Sequence, residues 1–317
     1  MLKETKEKLL DVSRAGKVRN WRDRKRSSVR LSQKYEELDL KKLSRKVYLC
    51  SELLVFKKFQ DESLKLKKAW FCKNNLCPLC SWRRAMKYRE QLRTILKESL
   101  KRKKGTFLFL TLTQKNVFAE DLAAELDLIH KSFRKLTRRA FFKKSVIGFV
   151  RATEITYNEK EGTYHPHIHV LLFVSSSYFK SSTGLYKTQK EWVKLWRDSL
   201  KIDYDPSVNI KKVKTEDNNL IKSVLEVSKY TVKPLDYDKT DSEVIETLYF
   251  SMFNKRLISF GGLFKEIRNE LFLDDPETGN LVDVSEENEI EEDKAVREII
   301  AKYNYFKRDY FIQNAEG

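Results

Sequence analysis

The chain has 317 residues, 41% of them hydrophobic, and carries 64 Lys and Arg against 46 Asp and Glu, a net charge of +18. That length suits about two domains with real cores, and nine Gly and five Pro leave little room for long flexible linkers. No run of about 18 apolar residues exists, which argues against a membrane-spanning helix; the charged N-terminus lacks the apolar core of a signal peptide, so a cytoplasmic protein is expected.

The charge is unevenly placed. Through Lys104, 32 Lys and Arg stand against 12 Asp and Glu, a net of +20, so the remainder is close to neutral. Such a basic region points to a polyanion, and nucleic acid is the usual partner. The cluster Trp21–Arg26 is expected to touch a DNA backbone and to be partly flexible when unbound. Next come four cysteines, Cys50, Cys72, Cys77 and Cys80. Cys77-Pro78-Leu79-Cys80 has the C-x-x-C spacing with which two thiolates grip one tetrahedral Zn²⁺. Cys72 and Cys50 complete a closed, structural four-thiolate site that would pin a small domain with few apolar residues to bury. A redox pair or plain core cysteines are the alternatives. A helix from Ser81 to about Leu100 then presents Arg83, Arg84 and Lys87 as phosphate-binding cations, with Trp82 packed on the zinc turn.

Lys101–Gly105 punctuates the chain before a new domain. Thr106–Thr113 is apolar on both faces, as a doubly covered central strand should be. A helix is predicted over Phe118–Thr137, with His130 at its surface or boundary. A strand over Val146–Tyr157 places Glu154 on an apolar face, where a carboxylate is costly unless it is paired or holds a metal. The following strand, Gly162–Val174, contains His165, His167 and His169, three of the four histidines in the chain. Residues two apart in a strand share a face, so His167 and His169 present two imidazoles together. A hairpin would bring Glu154 to them, giving a metal site with open coordination positions. His165 precedes Pro166 and is placed behind a metal ligand or beside the substrate rather than on the metal.

A helix over Gln189–Leu200 buries Trp192 and Trp196, and a short strand covers Val208–Val213. A further helix ends at Pro234 and sets Lys222, Glu226, Tyr230 and Lys233 on one face. There a phenol could be a nucleophile, a carboxylate could handle protons and a lysine could hold phosphate. Leu248–Leu273 reads as apolar and helical, Ser285–Asp293 as acidic, and Ala295–Ile312 as a helix that docks or dimerises. The expected domains are a basic, cysteine-containing DNA-binding region over 1–100, a catalytic domain over 101–245 and a helical, acidic extension over 246–317.

Taken in order, the cysteines, Trp82-Arg83-Arg84, the strand Phe109–Thr113, the His165-Pro166-His167-Ile168-His169 core and Glu226 with Lys229-Tyr230 resemble the replication initiators of small rolling-circle plasmids of Gram-positive bacteria. These belong to the HUH endonuclease superfamily, and the resemblance runs from about Trp21 to Leu273. It implies an α+β fold, a small antiparallel sheet with flanking helices. By that match, His167 and His169 hold Mn²⁺ or Mg²⁺, and the strand position of Glu154 places it as third ligand. Tyr230 is the single nucleophile, Glu226 standing where two-tyrosine relatives carry a second one. Lys233 and Lys229 serve phosphate and DNA. The implied activity is site-specific nicking and rejoining of single-stranded origin DNA. Hairpin or duplex origin DNA, a host helicase and a polymerase are the implied partners; no membrane is involved, and oligomerisation is left open. Relaxases and single-strand transposases use the same chemistry, and a non-catalytic zinc-ribbon DNA-binding regulator is the reading without it.

Overall fold

The computed structural model describes residues 2–13, 16–213, 224, 235–284 and 295–315. The chain forms two compact units. One comprises Met1–Glu90, Pro234–Glu246 and Asp274–Gly317; the other comprises Gln91–Lys233 and Thr247–Leu273.

The first unit is built on an antiparallel sheet of β1 (Leu2–Lys8), β2 (Leu53–Phe59), β3 (Leu64–Ala69), β9 (Ala295–Asn304) and β10 (Asp309–Ala315), in the order β1-β10-β9-β2-β3. Two helices, α1 (Trp21–Glu37) and α2 (Lys41–Leu49), and the first turns of α3 (Pro78–Arg102) belong to it. The segment expected to form a C-terminal helix is therefore a hairpin. β9 lies between β10 and β2, with Leu54 opposite Ala301 and Phe56 opposite Ile299. Its Ala301 and Tyr303, two apart, are both buried, and its β-branched and aromatic residues suit a pleated surface. The stretch is thus part of the N-terminal sheet, not a separate extension. The Trp21–Arg26 cluster is ordered as the start of α1. Asn20 caps this helix by accepting from the Asp23 amide at 3.0 Å. Trp21, Lys25, Ser28, Ser32 and Tyr35 form its buried face at helical spacing.

The second unit holds the sheet β7-β4-β6-β5-β8, all neighbours antiparallel: β4 (Gly105–Thr113), β5 (Val146–Asn158), β6 (Thr163–Ser175), β7 (Val208–Val213) and β8 (Ile258–Gly262). The first four fall where alternation places them. Leu108, Leu110, Leu112, Ile168, Val170 and Leu172 line one face and pack on Ile129 and Phe133 of α4 (Ala119–Arg138) and on Trp192 and Trp196 of α6 (Gln189–Leu200). The start of α6 is fixed by a capping box between Thr188 and Glu191, and the Trp196 indole donates to the Thr113 carbonyl at 2.8 Å. A short α5 (Ala140–Ser145) precedes β5. The stretch expected to be wholly helical is divided. Following α7 (Ser242–Met252), β8 extends the sheet beside β5, and α8 (Leu263–Glu270) begins after Gly262, whose φ of +55° favours glycine. Register on the other face is what positions the candidate site: His169 lies between Thr111 and Ala152, and His167 between Thr113 and Glu154.

Candidate functional site

The period of two along β6 brings His167 and His169 to the sheet face opposite α4 and α6, their ring centroids 4.8 Å apart and their planes at 89°. Glu154 reaches them from β5. Its Oε2 lies 3.0 Å from His169 Nε2 and 3.4 Å from His167 Nε2. All three residues are buried. Burial acts to raise the Glu154 carboxyl; with protons on the two rings, their hydrogen bonds and charge outweigh it and hold the group well below the usual carboxylate range.

The surroundings orient these donors. His167 Nδ1 donates to the His165 carbonyl at 3.2 Å, which leaves the lone pair on Nε2, the atom that faces the carboxylate. Thr111 Oγ1 lies 3.2 Å from His169 Nδ1, and Phe109 tilts against the same ring at 5.6 Å. His165 is not among the three converging donors: its ring lies 5.3 Å from that of His167, and its Nδ1 is 2.8 Å from Asn116 Oδ1. An imidazole lone pair and a carboxylate oxygen converging in a buried place need a cation between them or a proton on the ring. The ligand atoms lie within 4.8 Å of one another, and an N₂O set of this kind fits a divalent metal with positions left open. The sequence alone assigns no role to Thr111 or Asn116. Strand alternation carries the signal for Thr111, which pairs with His169 in register.

In the first unit the four cysteines converge. Cys50 follows α2, Cys72 follows β3, and Cys77 and Cys80 flank the start of α3. The Sγ–Sγ separations are 3.6 Å for Cys50–Cys80 and Cys72–Cys80 and 3.7 Å for Cys50–Cys77. A disulfide has its sulfurs at about 2.05 Å, whereas the edge of a tetrahedron with Zn–S bonds of 2.3 Å is about 3.8 Å. The cysteines are free, and their spacing matches the tetrahedron. Amides of Cys72 and Lys73 donate to Cys50 Sγ and Cys80 Sγ, and Lys73 adopts a φ of +59° in the knuckle. Burial pushes the Cys72 and Cys80 thiols up, whereas at Cys77 the hydrogen bonds of the other cysteines and Ser28 outweigh burial and hold the thiol down; four buried thiolates together need a cation. Lys25, fully buried, donates to the Tyr48 and Cys50 carbonyls. Burial pulls its ammonium down to about 8, against the pull of the neighbouring cysteines.

The cations expected to face phosphate are instead engaged within the first unit. Arg83 is fully buried and donates to the Leu281 and Val282 carbonyls at 2.9 and 2.6 Å. Arg84 donates to the Asn74 carbonyl at 3.3 Å and to that of Lys73. Lys87 pairs with Asp274 at 2.5 Å and donates to the Asn280 carbonyl. Arg83 and Lys87 fasten the segment from Asp274 onward to α3, and Arg84 ties α3 to the loop that follows Cys72. Trp82 is buried and packs edge-on against Trp21 at the start of α1. Tyr237 is buried with its hydroxyl on the Leu76 carbonyl at 2.6 Å, and burial raises its phenol, which suits it poorly to nucleophilic work. Glu226, Lys229, Tyr230 and Lys233 lie outside the described residues; in that stretch Val224 is helical and buried.

This arrangement can be set beside known proteins. A family model described as "Replication protein" (Rep_1) matches residues 63–311. The chain belongs to this family of rolling-circle plasmid replication initiators. Among its relatives are proteins named "Protein rep". One from Streptococcus pneumoniae serotype 2 is 46% identical over 308 residues, covering 96% of each chain. One from Lactiplantibacillus plantarum is 45% identical over 313 residues, covering 95% of this chain and 98% of its own. One from Bacillus amyloliquefaciens is 37% identical over 333 residues, covering 96% and 97%. No solved structure matches the chain. Among the described residues, no helix of this family member is long and apolar enough to cross a membrane.

Proposed function

We propose that the chain starts plasmid replication by nicking, and later rejoining, single-stranded origin DNA through a 5′-phosphotyrosine on Tyr230. The fold of the second unit is read as that of an HUH endonuclease, and the first unit as a zinc-pinned DNA-binding module working in the cytoplasm. The observation that carries this reading is the convergence of two histidine Nε2 atoms on Glu154 in a replication-family chain.

His167, His169 and Glu154 would hold Mn²⁺ or Mg²⁺, which supplies charge neutralisation at the scissile phosphate. Tyr230 Oη attacks phosphorus, the bond to the 3′ oxygen breaks, and that oxygen leaves as a hydroxyl for a host polymerase to extend behind a host helicase. A free tyrosine has a pKa of about 10, so the phenol must give up its proton as it attacks. Glu226 accepts a proton or activates water at termination, because one tyrosine cannot perform every transfer. Lys233 and Lys229 steady the phosphate and the strand. The phosphotyrosine keeps the phosphodiester's free energy, so rejoining needs no ATP. Zn²⁺ in the four-cysteine site is structural, as all its positions are filled by protein. The near full-length similarity to proteins named for replication favours an initiator over a relaxase or transposase.

The test is a labelled single-stranded origin oligonucleotide with and without Mn²⁺. Wild type forms a covalent adduct and Tyr230→Phe does not. An adduct that persists in Tyr230→Phe assigns the nucleophile elsewhere, and cleavage that survives exhaustive chelation removes the metal from the chemistry.

A further inference from the structure

Within the first unit, α1, the end of α2 and the β9–β10 hairpin border a cavity of about 460 Å³, lined among others by Arg26, Arg30, Arg308, Tyr48, Tyr303 and Tyr305. That volume lies in the range of small-molecule sites, about 300–1,000 Å³. Tyr48 and Tyr305 are stacked, with centroids 4.4 Å apart and planes within 6°, and Tyr303 meets Tyr305 edge-on at 5.1 Å. The stack is locked, since the Tyr305 hydroxyl donates to the Tyr48 carbonyl at 3.2 Å. Tyr48 is its accessible end, 36% exposed. Arg26 Nε donates to the Arg308 carbonyl at 2.9 Å, which ties the hairpin turn to α1. Three carboxylates stand nearby: Asp23 lies 3.6 Å from Arg26, Asp238 pairs with Arg30, and Glu52 lies 3.5 Å from the Tyr305 hydroxyl and 3.9 Å from Lys302. At the hairpin turn, Phe306 is 96% exposed.

An inorganic anion has no use for a tyrosine stack, and an apolar protein surface has no use for three guanidiniums. A nucleotide uses both: its base stacks on an aromatic ring and its phosphate accepts from arginine. We propose that this cavity takes one unpaired nucleotide of a DNA strand, the base against the Tyr48 end of the stack and the phosphate at the arginines, with Phe306 beside it for a neighbouring base. The inference deepens the proposed reading that the protein handles origin DNA, and it rests on that reading. It assigns strand contact to residues of the first unit, which the histidine cluster does not include.

The probe is an oligothymidylate of about a dozen nucleotides, within the usual single-strand site sizes, carrying 5-iododeoxyuridine and irradiated with the full-length protein. The expected result is an adduct mapped to Tyr48 or Phe306, retained in Tyr48→Phe and lost from position 48 in Tyr48→Leu. Loss of one stacked base weakens binding by roughly 5- to 150-fold, and Arg308→Gln lowers the single-strand salt slope by about 0.7. Melting curves establish that each variant is folded, and the wild-type map needs no variant. Adducts confined to other peptides overturn the proposal. Displacement by thymidine monophosphate as effective as by the oligonucleotide overturns the strand assignment in favour of a free-nucleotide site, and a preference for the matching duplex overturns the unpaired base. Adduct formation at Tyr230, scored separately on the origin oligonucleotide, tells the two readings apart. A Tyr230 adduct without a crosslink at Tyr48 or Phe306 defeats this inference alone, and the reverse outcome defeats the nuclease reading alone.

Discussion

Replacing Thr111 by Val tests whether the histidine cluster is an oriented metal site. Val has nearly the same shape and a high strand preference, so β4 and its pairing with β6 should survive. What is lost is the contact between Thr111 Oγ1 and His169 Nδ1. At 3.2 Å it sits at the long end of the hydrogen-bond range. A neutral hydrogen bond is worth about 0.5–1.5 kcal/mol, and removing the outer partner of a metal-binding histidine weakens metal binding about 10- to 100-fold. The long distance, and the support that Phe109 gives the ring, put the expectation at the lower end, about tenfold or ~1.4 kcal/mol. Calorimetric titration of Mn²⁺ into wild type and Thr111→Val measures it, with a circular-dichroism melt to show equal folding. Glu154→Ala, which removes a proposed ligand outright, should weaken binding much further. Unchanged Mn²⁺ affinity in folded Thr111→Val refutes the orienting role, and unchanged affinity in Glu154→Ala refutes the site.

Three other outcomes are expected. Cys77→Ser should abolish a stoichiometric zinc content, read by mass spectrometry of the dialysed protein, and loosen the near-ultraviolet signal of the first unit; wild type without bound zinc would contradict this. Arg83→Gln should lower the melting temperature, because two charge-assisted hydrogen bonds of about 1.5–3 kcal/mol each are lost, while leaving the salt slope of DNA binding unchanged. A slope reduced by about one would make Arg83 a phosphate contact after all. His130 has its pKa lowered from 6.5 to about 3, first by burial and then by Arg151 and Lys255. The unfolded chain therefore binds the extra proton first, and stability falls as the pH drops from about 6.5 toward 3. The slope from this group is at most ~1.4 kcal/mol per pH unit; His130→Gln should flatten it in acid melts, and an unaltered profile would count against the assignment.

Much of the second unit could be read along the chain because its signals are local. Alternation in Thr106–Thr113 and Thr163–Ser175 fixes which side chains share a face, and that alone gathers His167, His169 and Glu154 once the hairpin is drawn. Trp192 and Trp196, one helical turn apart, announce a core. The first unit hid its plan because its partners are distant in sequence. Nothing near Arg83 tells that the carbonyls of Leu281 and Val282 will take up its guanidinium, so a buried strut looked like a phosphate ligand. Ala295–Asn304 has mixed periodicity and becomes a strand because Leu53–Phe59, far upstream, offers it an edge. Tyr48 and Tyr305 are likewise invisible as a pair until that edge is filled.

The position of β9 bears on how the protein is made. A ribosome delivers every strand of the histidine-bearing sheet well before it reaches Ala295, yet the sheet of the basic module stays open along β2 until the terminal hairpin emerges. A polypeptide released early would carry all five strands of the histidine-bearing sheet but lack the two that fill the β2 edge, so the sheet of the first unit is the last part of the described fold to be completed.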